Sequence, residues 1–297
     1  MSIKVEHLTH IYDKGMPTES VALNDVSFSA EDGQLIGIIG HTGSGKSTLL
    51  QHLNGLLKPD EGRVIIGDTD ITSPGVSMVE IRKRIGLVFQ YPEYQLFEES
   101  VAKDVAFGPK NLGLAQAEIE ERVKEALELV GLDYEEIKDR SPFELSGGQK
   151  RRVAIAGVVA MRPEVLILDE PTAGLDPKAH QDVLDMVCEV HRRTGNITIF
   201  VSHNMADIAR ISDKVIVIDS GRLIIEGSPK EVFSQKAELE RVGLELPPIT
   251  AFTEGLRDKG IALSDTILDI SQAADEIAAY LKKKSEEGLT EAQNKSL

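Results

Sequence analysis

The chain has 297 residues, 41% of them hydrophobic, which is enough for one substantial core and an appendage. A formal net charge of −16 argues against broad electrostatic attachment to nucleic acid or anionic lipid. The single cysteine, Cys188, excludes an intrachain disulfide and suits a reducing compartment. No run approaches the ~18 apolar residues a membrane-crossing helix needs, and the polar start Met1–His7 reads as the lead into a strand rather than a secretory leader.

In chain order, Ile3–Thr9 and Val21–Ser29 read as strands flanking the turn-rich Asp13–Pro17. Leu35–Ile39 is a short apolar run of the buried-strand kind, and Lys46–Leu53 has helical spacing. Between them lies Gly40-His41-Thr42-Gly43-Ser44-Gly45-Lys46-Ser47-Thr48, which fits G-x-x-x-x-G-K-[ST]. Such a loop sits where free N–H groups and the helix dipole both attract anions. Gly40, Gly43 and Gly45 let successive N–H groups turn toward phosphates. Lys46 is placed to reach the β- and γ-phosphates of a nucleotide, and the Ser47 hydroxyl to ligate Mg²⁺. The bland alternative is a glycine-rich turn ahead of a helix; strand, loop and helix in order favour the phosphate cradle.

A strand follows at Arg63–Ile66, a short helix at Met78–Arg84 and a strand at Ile85–Phe89 ending at Gln90. Across 98–145, Ile119, Val123, Ala126, Leu127 and Val130 recur at helical spacing among many charges, so this stretch is predicted to be a helical subdomain inserted into an α/β core. Leu145-Ser146-Gly147-Gly148-Gln149 opens the next helix. The adjoining Lys150-Arg151-Arg152 is the obvious basic cluster, better suited to phosphate proximity and helix packing than to DNA. Strands at Val165–Leu168, Ile197–Val201 and Val215–Ile218 alternate with helices at about 178–192 and 204–211, which predicts a mainly parallel sheet covered on both faces. Cys188 falls in the first of those helices and is expected to be a small buried apolar residue.

After Glu226-Gly227-Ser228-Pro229 the strands stop. Residues 230–284 are helical in pattern, broken by Pro247-Pro248, and the charged end from Lys282 is expected to fray. The seven histidines show no metal-ligand spacing.

Val165-Leu166-Ile167-Leu168-Asp169-Glu170 is an apolar strand ending in two carboxylates, delivered to the edge of a parallel sheet where ligands bind. Asp169 would hold Mg²⁺, directly or through water, and Glu170 would polarise an attacking water. A strand running into an acidic turn is the structural alternative.

The cradle, Gln90, Leu145–Gln149, Leu168-Asp169-Glu170-Pro171, Ala173-Gly174-Leu175-Asp176 and Ser202-His203 together resemble the motif set of an ATP-binding-cassette (ABC) ATPase, in its usual order and over roughly residues 1–230. The resemblance implies a P-loop ABC-type nucleotide-binding domain at 1–229. It would have an N-terminal antiparallel β subdomain, the helical insertion at 98–145, and a C-terminal helical extension at 230–297. It implies ATP and Mg²⁺, with Ser47, Gln90 and Asp169 at the metal. It also implies a head-to-tail dimer in which Leu145, Ser146, Gly147, Gly148 and Gln149 close on the partner's nucleotide. Ala173, Gly174, Leu175 and Asp176 would form the loop between subunits. Glu170, His203, Gln90 and Lys46 carry the catalytic roles in that scheme, with His203 bridging the γ-phosphate, the attacking water and Asp176 of the partner subunit. A lone histidine after a strand is otherwise most often structural. Tyr12 resembles the aromatic that stacks on adenine, although Pro17-Thr18-Glu19-Ser20 lengthens the segment between it and the cradle; packing in the strand layer is its other reading.

Leu50–Pro59, Phe89-Gln90-Tyr91-Pro92-Glu93-Tyr94-Gln95-Leu96-Phe97 and Phe107-Gly108-Pro109-Lys110-Asn111 are similar to the ATPases of energy-coupling-factor (ECF) transporters, and Glu170–Asp176 is similar to the second of their two subtypes. That implies a heterodimer with a related ATPase, docked on a membrane coupling protein that holds a separate substrate-binding membrane subunit. The cargo would be vitamins, or nickel or cobalt in close relatives. The expected location is the cytoplasmic face of the cell membrane, peripheral, with no nucleic-acid partner. The insertion and the groove beside Gln90 would receive the coupling helices, while Tyr91, Tyr94, Leu96 and Phe97 would serve equally as core. The nearest rival is the ATPase of a conventional binding-protein-dependent importer. A soluble cassette acting on DNA or the ribosome is disfavoured by the acidic charge, the single cassette and the lack of coiled-coil arms.

Overall fold

The computed structural model describes the backbone of residues 1–294 and side chains through residue 286. The chain opens with β1 (Ser2–Tyr12), β2 (Ser20–Glu31) and β3 (Leu35–Ile39), followed by α1 (Lys46–Leu53), β4 (Glu61–Ile66) and β5 (Thr69–Asp70). Next come α2 (Met78–Arg84) and β6 (Ile85–Val88), then α3 (Val101–Asn111), α4 (Gln116–Leu129), α5 (Tyr134–Ile137) and α6 (Gly147–Val159). The α/β alternation resumes with β7 (Val165–Asp169), α7 (Pro177–Thr194), β8 (Ile197–Val201), α8 (Met205–Ile211), β9 (Lys214–Asp219) and β10 (Arg222–Gly227). The C-terminal part is helical: α9 (Pro229–Phe233), α10 (Lys236–Arg241), α11 (Pro248–Arg257) and α12 (Ile270–Asn294).

Two sheets form. One is antiparallel, in the order β2-β1-β4-β5; the other runs β10-β9-β3-β8-β7-β6, parallel except for its edge strand β10. Period-two alternation splits the inner strands between two cores. Leu35, Ile39, Leu166, Leu168, Phe200, Val215 and Val217 join a core shared with helices α3, α4, α6, α7, α8 and α9. Ile36, Ile38, Ile167, Ile199 and Ile216 face the other way, against Ile3, Val5, Leu8 and Phe28 of the antiparallel sheet and Leu49, Leu50 and Leu53 of α1. Each such buried side chain contributes about 1.5–3 kcal/mol of transfer free energy. The two cores clamp the sheet, so the loops at its C-terminal edge are held on a rigid base.

The main departures from the sequence pattern are local. β1 and β2 run longer than predicted, which places Tyr12 inside a strand, paired with Ser20, rather than after one. β5 is too short to show a period, and β10 pairs antiparallel onto β9 through a tight turn at Ser220-Gly221. Cys188 is half-buried at the margin of the α7 stripe Val183, Leu184, Met186, Val187 and Val190, and burial pushes its thiol pKa upward. Beyond Lys282, α12 continues as helix to Asn294, in keeping with the Lys, Glu, Ala and Gln that fill it; residues 295–297 of that end lie outside the described residues. Among the described residues no helix is long and apolar enough to cross a membrane.

Candidate active site

The glycine-rich loop links β3 to α1 at the C-terminal edge of the parallel sheet. Gly45 is the N-cap of α1 at φ 106°, with no side-chain cap, so the first helical N–H groups are left for an anion. Ser44 is fully buried, and its hydroxyl has no hydrogen-bond partner among the described residues. Lys46 Nζ donates to the main-chain oxygens of Gly40 and His41, both at 2.8 Å, which holds the ammonium against the loop. Burial pushes the Lys46 pKa down, opposed by the charges of Glu170 and Asp169. An ammonium partly withdrawn from water binds phosphate oxygens at less further desolvation cost.

Two of the three groups expected at a metal meet: Ser47 Oγ donates to Asp169 Oδ2 at 3.4 Å, while the third, Gln90, bonds Glu170 instead. Burial raises the Asp169 pKa, with the Glu170 charge adding to it and Lys46 and Ser47 opposing. A hydroxyl beside a partly desolvated carboxylate is an oxygen donor set suited to a hard divalent cation such as Mg²⁺. Glu170 stands one residue past the end of β7, in the left-handed region at φ 47°, with its N–H bonded to the Val201 carbonyl. Its carboxylate gathers two neighbours, accepting from Gln90 Nε2 at 3.2 Å and lying 3.2 Å from His203 Nδ1. His203 leaves the end of β8 exposed, and Asn204 caps α8 behind it.

Lys46, Ser47, Thr48, Gln90, Asp169, Glu170 and His203 thus line one cleft of about 1210 Å³, with Gly40, His41, Thr42, Gly43, Gly45 and Tyr12 on its walls. Tyr12 is 40% exposed; its hydroxyl meets Thr48 Oγ1 at 3.2 Å, and its ring packs edge-on against His10. An exposed ring pinned at its edge and hydroxyl is available to stack on a base, whereas a core residue would be covered.

Leu145, Ser146, Gly147, Gly148 and Gln149 do not line this cleft. Ser146 and Gln149 form a reciprocal capping box at the start of α6, with Gln149 N donating to Ser146 Oγ at 3.3 Å and Ser146 N to Gln149 Oε1 at 3.1 Å. Leu145 anchors the motif in the core, and Ser146 and Gly147 are exposed. Ala173, Gly174 and Leu175 form the turn before α7, which Asp176 caps by accepting from the N–H groups of Lys178 and Ala179.

Three features escape a reading of the sequence. Gly243, Leu244, Glu245, Leu246 and Pro248, before and at the start of α11, line the cleft beside His203 and Asn204. His41 of the cradle pairs with Asp219 at the end of β9, 2.7 Å away. Arg151 is buried and bonded to Glu93. None has a local signal, because each joins segments far apart in the chain.

A strand–cradle–helix unit with paired carboxylates at the same sheet edge narrows the family to nucleotide hydrolases. The ABC transporter family model matches residues 23–173. The energy-coupling factor transporter ATP-binding protein EcfA2 of Caldanaerobacter subterraneus subsp. tengcongensis is 57% identical over 282 residues, covering 95% of this chain and 98% of that one. This chain belongs to the ECF transporter ATP-binding proteins. Among solved structures it is similar to cbiO1 from Clostridium perfringens, part of the ABC transporter complex cbiONQ, with a TM-score of 0.72, 42% identity, and coverage of 85% of this chain and 98% of that one. A dimeric ATP-binding cassette in a post-hydrolysis state, bound to ADP and Pi, matches with a TM-score of 0.67 and 27% identity over 76% of this chain and 98% of that one. As an ECF ATPase the chain is an α/β cassette that binds ATP, and the cleft above is where its sheet edge, cradle and carboxylates converge.

Proposed function

We propose that this chain is the ATP-hydrolysing subunit of an ECF-type importer and that it works as half of a head-to-tail ATPase pair. The observation that carries this reading is the split site: one cleft holds cradle, carboxylates and His203, while the exposed Ser146-Gly147 end of α6 lies outside it. The free N–H groups at that helix start have the chemistry to bind a γ-phosphate, and a second ATPase is the body that would present one. The dimeric cassette with ADP and Pi, 27% identical to this chain, supports the same arrangement.

Within the cleft, ATP would lie with its phosphates in the cradle and its base against Tyr12. The Glu170 carboxylate orients a water toward the γ-phosphorus and takes its proton as the new P–O bond forms and the β–γ bridging oxygen leaves with ADP. His203 and Gln90, both touching Glu170, hold water and carboxylate in register. Mg²⁺, held by Ser47 and Asp169 with Gln90 nearby, would neutralise charge on the phosphate oxygens.

The membrane side of the reading rests on a second groove of about 540 Å³, lined by Val79, Leu96, Phe97, Phe107, Leu112 and Met161. Phe97 and Phe107 pack edge-to-face at 5.1 Å and remain 57% and 46% exposed. An apolar groove rimmed by the charges of Arg82, Lys83 and Asp104 suits an amphipathic helix from a membrane coupling protein, which would hold the ATPase peripherally at the cytoplasmic face. A related ATPase is the favoured partner in the pair, and Phe252, Ile270 and Leu281, exposed on the C-terminal extension, would add to that contact. The cargo would be a vitamin or a transition-metal ion.

The test is a tagged pull-down from detergent-solubilised membranes of the native host, with partners and their ratio determined. Recovery of one related ATPase and a coupling protein with varied small membrane subunits is the expected result. A single dedicated permease would instead indicate a conventional importer, and recovery only from the soluble fraction would refute the transport reading.

A further inference from the structure

Arg151 is the largest of the fully buried side chains, at 1% exposure, and it carries a charge. A guanidinium in a core is unfavourable unless its donors are answered, and here four bonds answer them. Nε and one terminal nitrogen fork onto the Glu93 carboxylate at 3.0 and 2.6 Å. The other terminal nitrogen donates to two main-chain oxygens, Pro171 at 3.0 Å and Ala173 at 2.6 Å. The guanidinium also stands 5.8 Å from the centre of the Tyr91 ring.

These contacts join three pieces that lie far apart in the sequence. Arg151 sits one turn into α6, the helix that Ser146 caps. Glu93 and Tyr91 belong to the segment just after Gln90, beside the groove proposed for the membrane partner. Pro171 and Ala173 belong to the turn that follows Glu170. That turn closes through Ala173 N to Glu170 O at 3.1 Å, and Gly174 lies so near Tyr91 that a Cβ on it would stand 3.3 Å from the ring. Tyr91 and Glu170 both hold left-handed backbone, at φ 55° and 47°, a conformation that persists only where surroundings impose it. A hydrocarbon side chain would fill the same volume; only a forked cation grips two carbonyls and a carboxylate together.

We infer that Arg151 is a positioning residue for hydrolysis: it fixes the turn that aims Glu170, and through Glu93 it ties that turn to the segment facing the membrane partner. The inference rests on Glu170 being the water-orienting carboxylate. A reacting group displaced by ~1 Å loses up to about a hundredfold in rate while leaving the phosphate cradle intact.

The test measures kcat, KM, nucleotide affinity and melting temperature on the membrane-assembled complex for Arg151→Lys and for the pair Arg151→Met with Glu93→Gln. Arg151→Lys keeps the charge but loses the fork. The pair leaves no unmatched buried charge, so it keeps the fold if Arg151 and Glu93 merely pack. The expected result is a kcat lowered about tenfold or more in both, with KM and nucleotide affinity within about twofold of wild type. A folded Met/Gln pair with wild-type kcat would overturn the inference, as would a loss lying entirely in KM. Glu170→Gln, measured alongside, separates the two claims. If it stops hydrolysis while the Arg151 variants do not slow, only the positioning role falls; if it turns over normally, the Glu170 assignment falls and takes the positioning role with it.

Discussion

Alanine at Gly45 tests the cradle where backbone geometry and space both exclude a side chain. Gly45 sits at φ 106°, and a Cβ there would stand 2.5 Å from the Ala22 carbonyl oxygen and 3.1 Å from Leu23 Cδ2. The left-handed geometry costs an L-residue about 1–2 kcal/mol, and relieving overlap with fixed backbone adds about 1–3 kcal/mol. Gly43, two residues earlier, has φ 80° but no described residue within 4 Å of a Cβ there, so Gly43→Ala carries the backbone term alone, about 1–2 kcal/mol. The penalty appears as lost stability if the loop keeps its shape, and as lost nucleotide affinity if it yields and displaces Lys46. Thermal or urea denaturation together with equilibrium titration of a slowly hydrolysed ATP analogue captures both. The two losses should sum to ~2–5 kcal/mol for Gly45→Ala, equivalent to roughly 30-fold to several thousandfold if taken wholly in affinity. Gly45→Ala matching wild type in both measurements, or Gly43→Ala proving the more damaging, would refute the reasoning.

Burial lowers the pKa of His52 and of His191 from the ordinary 6.5. With the folded pKa below the unfolded one, their contribution to stability is present above about pH 6.5 and is lost as pH falls through the folded values. The melting temperature should therefore drop between about pH 7 and about pH 5, and His52→Leu should flatten that slope; an unchanged slope would refute the assignment. The raised Asp169 pKa means that Mg²⁺ must displace a proton as the solution is acidified toward that pKa. Mg²⁺ affinity should weaken as pH falls, and Asp169→Asn should raise the Mg²⁺ concentration needed for half-maximal hydrolysis by about tenfold or more. Phe107→Glu places a charge in the apolar groove and should cut recovery with membranes by about tenfold while leaving ATP binding within about twofold; unaltered recovery would remove that groove from the docking surface.

Much of the fold is local in origin and so legible. The cradle is a contiguous nonamer with a strand before it and a helix after it, and the carboxylate strand Val165–Asp169 announces itself by an unbroken apolar run. The helical insertion showed in the period of Ile119, Val123, Ala126 and Leu127 on α4, all of which are buried. What pattern does not carry is contact across the chain. Nothing in Leu244-Glu245-Leu246 indicates that it lies beside His203, because no period links a C-terminal loop to a sheet edge. The basic cluster Lys150-Arg151-Arg152 divides for the same reason. Arg151 turns into the core toward Glu93, and Arg152 pairs with Asp182 of α7 at 3.3 Å. Both take the helix-packing role expected of the cluster, but charge pattern alone does not tell apart neighbours that the helix points in different directions.

The central claim is that Glu170 orients the attacking water in a site completed by a second ATPase. The most direct measurement is single-turnover hydrolysis and native mass of Glu170→Gln with its partner ATPase and ATP. We predict ATP affinity close to wild type, hydrolysis slowed by about a hundredfold or more, and accumulation of an ATP-loaded closed dimer. Turnover at the wild-type rate, with no such dimer, would contradict the account.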